Sequence, residues 1–161
     1  MKQLLLLVLT INFLAGCNSP KEKMSKKISE MENNDSAYSP ELLQNLKNAY
    51  LEYATKYPDD EKSPIYLFKA AQRCIALNRP EEAVTLLNDL TVKYPKNPIH
   101  EEALFLLAFT YENSLNNLAV AGEKYREFIE KYPDNELAED AKLALQNLGK
   151  SPQEIIGSAK E

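Results

Sequence analysis

One histidine, two cysteines, four glycines and no tryptophan occur in the 161 residues of this chain. Each shortage removes a class of protein. So few His and Cys leave no paired spacing for a structural zinc site and no heme-attachment motif. Two cysteines, Cys17 and Cys74, are too few for a disulfide framework. Four glycines offer no Gly-rich phosphate loop, and little of the turn chemistry that β-hairpins use. Basic character is lacking too. Lys and Arg number 19 against 24 Asp and Glu, a net charge of −5. That balance argues against a nucleic-acid partner and against electrostatic adsorption to anionic lipid. Beyond the first residues, no apolar run approaches the roughly 20 residues of a membrane span.

The N-terminus carries the apolar run that the remainder lacks. Lys2 is followed by unbroken Leu4 to Leu9, then Ile11 and Phe13. A charged head, an apolar middle and small residues at the end are the order of a secretory signal. Leu14-Ala15-Gly16-Cys17 resembles the bacterial lipobox. That resemblance implies a signal peptide over residues 1–16, cleavage before Cys17, and a diacylglycerol on the Cys17 sulfur with further acyl chains. No other cofactor is expected. Once Cys17 is acylated, Cys74 has no intramolecular partner and reads as a small apolar core residue. By the same resemblance, Asn18 after the lipidated Cys, in place of Asp, implies the outer membrane of the cell envelope. Residues 17–38 are polar and of mixed charge, with Lys21, Lys23, Lys26 and Lys27 against Glu22, Glu30, Glu32 and Asp35. This composition predicts a flexible, lipid-anchored tether, spanning roughly 25 Å on average.

Residues 39–161 are organised by repetition. Lys-Tyr-Pro occurs at 56–58, 93–95 and 131–133, at intervals of 37 and 38 residues. A fixed period in this range marks a stacked repeat, and each Pro stops a helix. Between the stops, apolar residues recur at helical spacing, as in Leu42, Leu46, Ala49 and Tyr53. Ser39-Pro40 and Ser63-Pro64 predict helix starts with Ser as the cap. Asn78-Arg79-Pro80 and Asn116-Asn117 predict turns, Gly149 a helix end, and Ser151-Pro152 a short last helix bearing Ile155 and Ile156. No segment alternates as a strand does. The prediction is all-α, with about six to seven helices.

Leu104, Leu107, Ala108 and Tyr111 on one helix, with Ala121, Tyr125 and Pro133 after it, resemble the tetratricopeptide repeat. Leu67, Ala70, Ala71 and Cys74, with Ala83, Leu87 and Pro95, follow the same pattern more loosely. The resemblance implies a short solenoid of helical hairpins, in which small residues let two helices cross closely. The longer period is similar to that of envelope tetratricopeptide proteins of Gram-negative bacteria, such as the outer-membrane assembly lipoprotein and the Tol–Pal periplasmic coordinator. Counting gives two full units, a lone helix before them and a partial unit after. In the partial unit, Gln146 and Gly149 stand where a small residue and a Tyr would fall, as suits a terminal cap.

No catalytic constellation stands out, and neither an enzyme nor a small-molecule substrate is expected. His100 reads as an exposed loop residue. The acidic pairs Glu81-Glu82, Glu101-Glu102 and Glu139-Asp140 sit in first helical turns, where they complement the helix dipole. No metal site is expected. Recognition remains. A solenoid makes a concave surface from its first helices, and register places Phe68, Gln72, Phe105, Phe109 and Glu112 there as peptide-groove candidates. The expected function is a membrane-anchored scaffold for a protein or peptide. The alternative is a structural subunit of an envelope assembly, using the convex face and showing a broad apolar patch outside the groove.

Overall fold

The computed structural model describes residues 19–33, 39–151 and 153–154. Residues 1–16, Cys17 and the helix expected around Ile155 and Ile156 lie outside them. Among the described residues there are seven helices and no strand: α1 (Pro20–Glu32), α2 (Pro40–Lys56), α3 (Lys62–Ala76), α4 (Pro80–Lys93), α5 (Ile99–Asn113), α6 (Leu118–Lys131) and α7 (Ala138–Asn147). Consecutive helices pack on one another, and α3 also meets α5. This is the predicted all-α stack of helical hairpins. First helices α3, α5 and α7 alternate with second helices α2, α4 and α6.

Each Lys-Tyr-Pro ends a second helix in the same way. Tyr57, Tyr94 and Tyr132 are the C-terminal caps, with φ of −130°, −126° and −131°. The following Pro disfavours helical backbone at the residue before it, so the Tyr turns outward at that point. Each Tyr N–H still reaches the carbonyl four residues back, on Tyr53, Leu90 and Phe128. Two residues past each Pro stands Asp60, Asn97 or Asn135. Its side-chain oxygen accepts from the N–H two positions on, at 3.0, 3.0 and 2.8 Å. This Asx turn feeds the next helix, as short polar side chains do. Ser39 caps α2 as expected, accepting from Leu42 N–H at 3.1 Å. Ser63 does not cap α3. It is fully buried inside the first turn and donates to the Tyr57 carbonyl at 2.6 Å, because Asp60 already holds the start of that helix.

The hairpins close on small residues. Ala71 and Ala83, then Ala108 and Ala121, are all fully buried. At the same register in α2 stands Leu46, also buried. No sequence repeat predicts its partner, and the partner is α1. Residues 20–32 are therefore not tether. Ser19 and Glu22 form a reciprocal capping box, with Pro20 opening the helix. Ile28 is buried with Leu46, Tyr50, Tyr53 and Tyr66. Polar bonds fix the rest. Lys21 pairs with Asp60 at 2.7 Å, and Lys62 and Tyr66 reach Ser25 at 2.8 and 3.2 Å. Tyr50 and Lys69 reach Glu32 at 2.7 and 2.6 Å. With α1 in place the first hairpin is complete, and the lone helix of the repeat count has its mate. Leu46 does not allow the close crossing that Ala gives, and a groove of about 710 Å³ lies between α1 and α2, lined by Met24, Met31, Leu42 and Ala49 among others.

Candidate functional site

The five predicted groove residues divide. Phe68 is buried in the core cluster with Leu67, Ala71 and Leu87. Phe105 is half-buried and meets Tyr125 and Phe128 edge-on, with ring centroids 5.9 and 5.6 Å apart. Glu112 accepts a hydrogen bond from the Tyr125 hydroxyl at 2.7 Å. These three take part in holding the fold together. In so short a stack, the apolar residues of the first helices are needed as mortar. Gln72 and Phe109 remain exposed, one on α3 and the other at the equivalent place 37 residues later on α5.

Two exposed residues belong with them. Ile65 on α3 is 41% accessible and Leu143 on α7 is 54% accessible. Leu143 lies 38 residues after Phe105, and Ile65 three residues before Phe68, so both fall on the same helical face. The repeat register carries this signal: Leu143 lies beyond the two helices that match the repeat pattern best, and Ile65 before the matched stripe of α3. The result is a face of first helices dotted with large apolar side chains, among polar neighbours such as Gln72 and Lys69.

The polar bonds behind this face repeat with the fold. Tyr125 donates to Glu112 in the third hairpin, and Tyr50 donates to Glu32 in the first. Burial, then the carboxylate partner, push both phenols well above their ordinary pKa. Burial opposes the charge on Glu32, but the Lys69 and Tyr50 hydrogen bonds outweigh it and hold the carboxyl below its usual range. In the middle hairpin the two positions carry Leu87 and Ile75, both in one apolar cluster. Donor and acceptor are present together or replaced together, which avoids leaving one buried and unpaired.

His100 is not the exposed loop residue the sequence suggested. It lies in the first turn of α5, 5% accessible, with Nδ1 2.6 Å from the Tyr132 hydroxyl. Burial, and then the charge of Lys131, lower its pKa. This hydrogen bond joins the third Lys-Tyr-Pro turn to the start of α5. The unfolded chain takes up a proton here before the folded chain does, so stability falls as pH drops below the ordinary His value of about 6.5. We expect urea midpoints to decline between pH 7.5 and 5.5, and a His100→Gln variant to lose that part of the slope. An unchanged slope in the variant would exclude this role. Cys74 is fully buried, and burial pushes its thiol up to about 11, which keeps it unreactive.

The tetratricopeptide repeat family model matches residues 102–135, which run from within α5 through α6 and the third Lys-Tyr-Pro turn. No curated protein matches the chain.

Proposed function

We propose that this chain is an envelope lipoprotein, anchored through Cys17, whose first-helix face binds a segment of a partner protein. A tetratricopeptide repeat supports a protein-binding scaffold. The lipid anchor rests on the Leu14-Ala15-Gly16-Cys17 motif and the apolar run before it. One observation carries the choice of face. Of the four large apolar residues exposed among the described residues, Ile65, Phe109 and Leu143 lie on first helices; Val92 lies alone on a second helix. The convex-face alternative calls for a broad apolar patch on second helices, and Val92 by itself does not supply one.

Aromatic anchors dominate recognition energetics, each costing about 2 kcal/mol or more when truncated. Phe109→Ala is therefore expected to lower capture of a specific partner by about 30-fold in crosslinking from intact envelopes, the 2 kcal/mol figure read as a ratio. Its helical circular dichroism should be retained, because Phe109 is nearly half exposed. Capture unchanged in Phe109→Ala but lost in Val92→Asp would move the binding surface to the convex side.

A further inference from the structure

Helix α1 changes where an anchored fold must sit. Ser19 is its cap and Pro20 its first residue. Only Asn18 lies between Ser19 and Cys17. Two residues of chain span about 7 Å at most, so a lipid on Cys17 cannot leave the start of α1. The start of α1 is in turn clamped to the first Lys-Tyr-Pro turn. Lys21 Nζ pairs with Asp60, and a hollow of about 370 Å³ beside them is lined by Lys21, Tyr57, Pro58 and Asp59. Ser25 and Glu32 tie the remaining length of α1 to α3. There is no slack between the anchored residue and the body of the fold.

We propose that α1 is a rigid mount, holding the first Lys-Tyr-Pro turn against the bilayer surface so that the solenoid stands edge-on to the membrane. The proposal rests on the reading of Cys17 as the lipidated residue. The turn carries Tyr57 with its amphipathic ring and the exposed Lys56 and Lys62; exposed Asp59 and Glu61 share it, so the lipid and the ring, not charge attraction, hold the turn at the interfacial zone. The second turn continues the same edge, because the Tyr94 hydroxyl donates to the Pro58 carbonyl at 2.7 Å. Helices α2 and α4 run away from this edge. Their 17 and 14 residues put the opposite edge, with the turn before Glu81, roughly 20 Å or more farther out. Standing this way, the fold turns the face carrying Ile65, Phe109 and Leu143 sideways, along the membrane plane.

The test uses the full acylated chain purified from envelopes and reconstituted into phosphatidylethanolamine–phosphatidylglycerol vesicles. One fluorescent probe is placed at Asp59→Cys and, in a separate sample, at Glu81→Cys; Cys74 is buried and does not compete for the label. A nitroxide on the lipid headgroup is expected to quench the probe at 59 several-fold more than the probe at 81. Inserting ten Gly-Ser residues after Asn18 is expected to abolish the difference. Equal quenching at both sites in the native chain overturns the mount and leaves the anchor standing. A difference that survives the insertion also overturns it, because α1 would not be its source. The mass of the N-terminal peptide reads the anchor separately: a peptide without acyl chains overturns the lipid reading, and the mount with it.

Discussion

Truncating Phe128 to alanine is expected to lower stability by about 3–5 kcal/mol, in the range for a fully buried aromatic in a packed core. Phe128 is inaccessible on α6 and touches the rings of Phe105 and Tyr132, both at 5.6 Å. Its carbonyl also accepts from the Tyr132 N–H that caps α6. That backbone bond survives the truncation, so the loss reaches two things: the ring packing in the seam between α5 and α6, and the support of the Tyr132 ring whose hydroxyl meets His100 at the start of α5. In a stack where each unit meets only its neighbours, such damage is local. The third hairpin and α7 should open first, while α3 and α4 keep their own cluster around Leu87 and Leu90. Urea unfolding followed by circular dichroism should show a lower midpoint and a shallower slope than the parent chain, the signature of broken two-state behaviour. A Leu90→Ala variant, at the equivalent place in the middle hairpin, should weaken both sides of the stack and keep a single transition. A loss under about 1.5 kcal/mol in Phe128→Ala would mean that the third hairpin collapses around the gap instead of opening.

The repeat architecture was legible because it is written in local chemistry. Lys-Tyr-Pro stops a helix whatever surrounds it, and Ala83 and Ala121 mark the crossings by their size. The Asx turn was legible in principle too, in Asp60, Asn97 and Asn135. Ser63 drew attention away from it because Ser before Pro is the commoner start signal. The groove residues were legible only as far as helical register goes. Register places Glu112 on a face; it does not say that the Tyr125 hydroxyl of the neighbouring helix arrives there first. The same holds for His100, whose partner Tyr132 is 32 residues away. Helix α1 was missed for a different reason. Seven of its 13 residues are charged, and composition of that kind reads as disorder. Periodicity pointed the other way. Met24, Ile28 and Met31 recur at steps of four and three along one stripe. Three apolar residues do not form a core alone, and the waiting surface of Leu46, Tyr50 and Tyr66 could not be seen from within the segment.

That surface makes Ile28 the most sensitive position of α1. Ile28→Asp would place a carboxylate where no water reaches, among Tyr50, Tyr53 and Leu46. Leaving a charge buried and unpaired costs several kcal/mol at least, more than the exposed Lys21–Asp60 pair and the Ser25 bonds can offset. The cheaper course is for α1 to leave the fold. We expect amide exchange across residues 20–32 to rise to the rate of a free chain, while α5 and α6 stay protected and the overall helical signal falls by little more than one helix. Ile28→Val, which keeps the shape, should cost only about 0.5–1.5 kcal/mol and leave α1 protected. Retained protection of α1 in Ile28→Asp would mean that its polar bonds suffice to hold it. The same substitution bears on orientation. In the acylated chain, a released α1 becomes a spacer between the lipid and Tyr57, and the quenching contrast between positions 59 and 81 should collapse as it does with the Gly-Ser insertion. On the proposed lipid anchor, one buried isoleucine would then decide whether the solenoid is mounted on a membrane or merely tied to it.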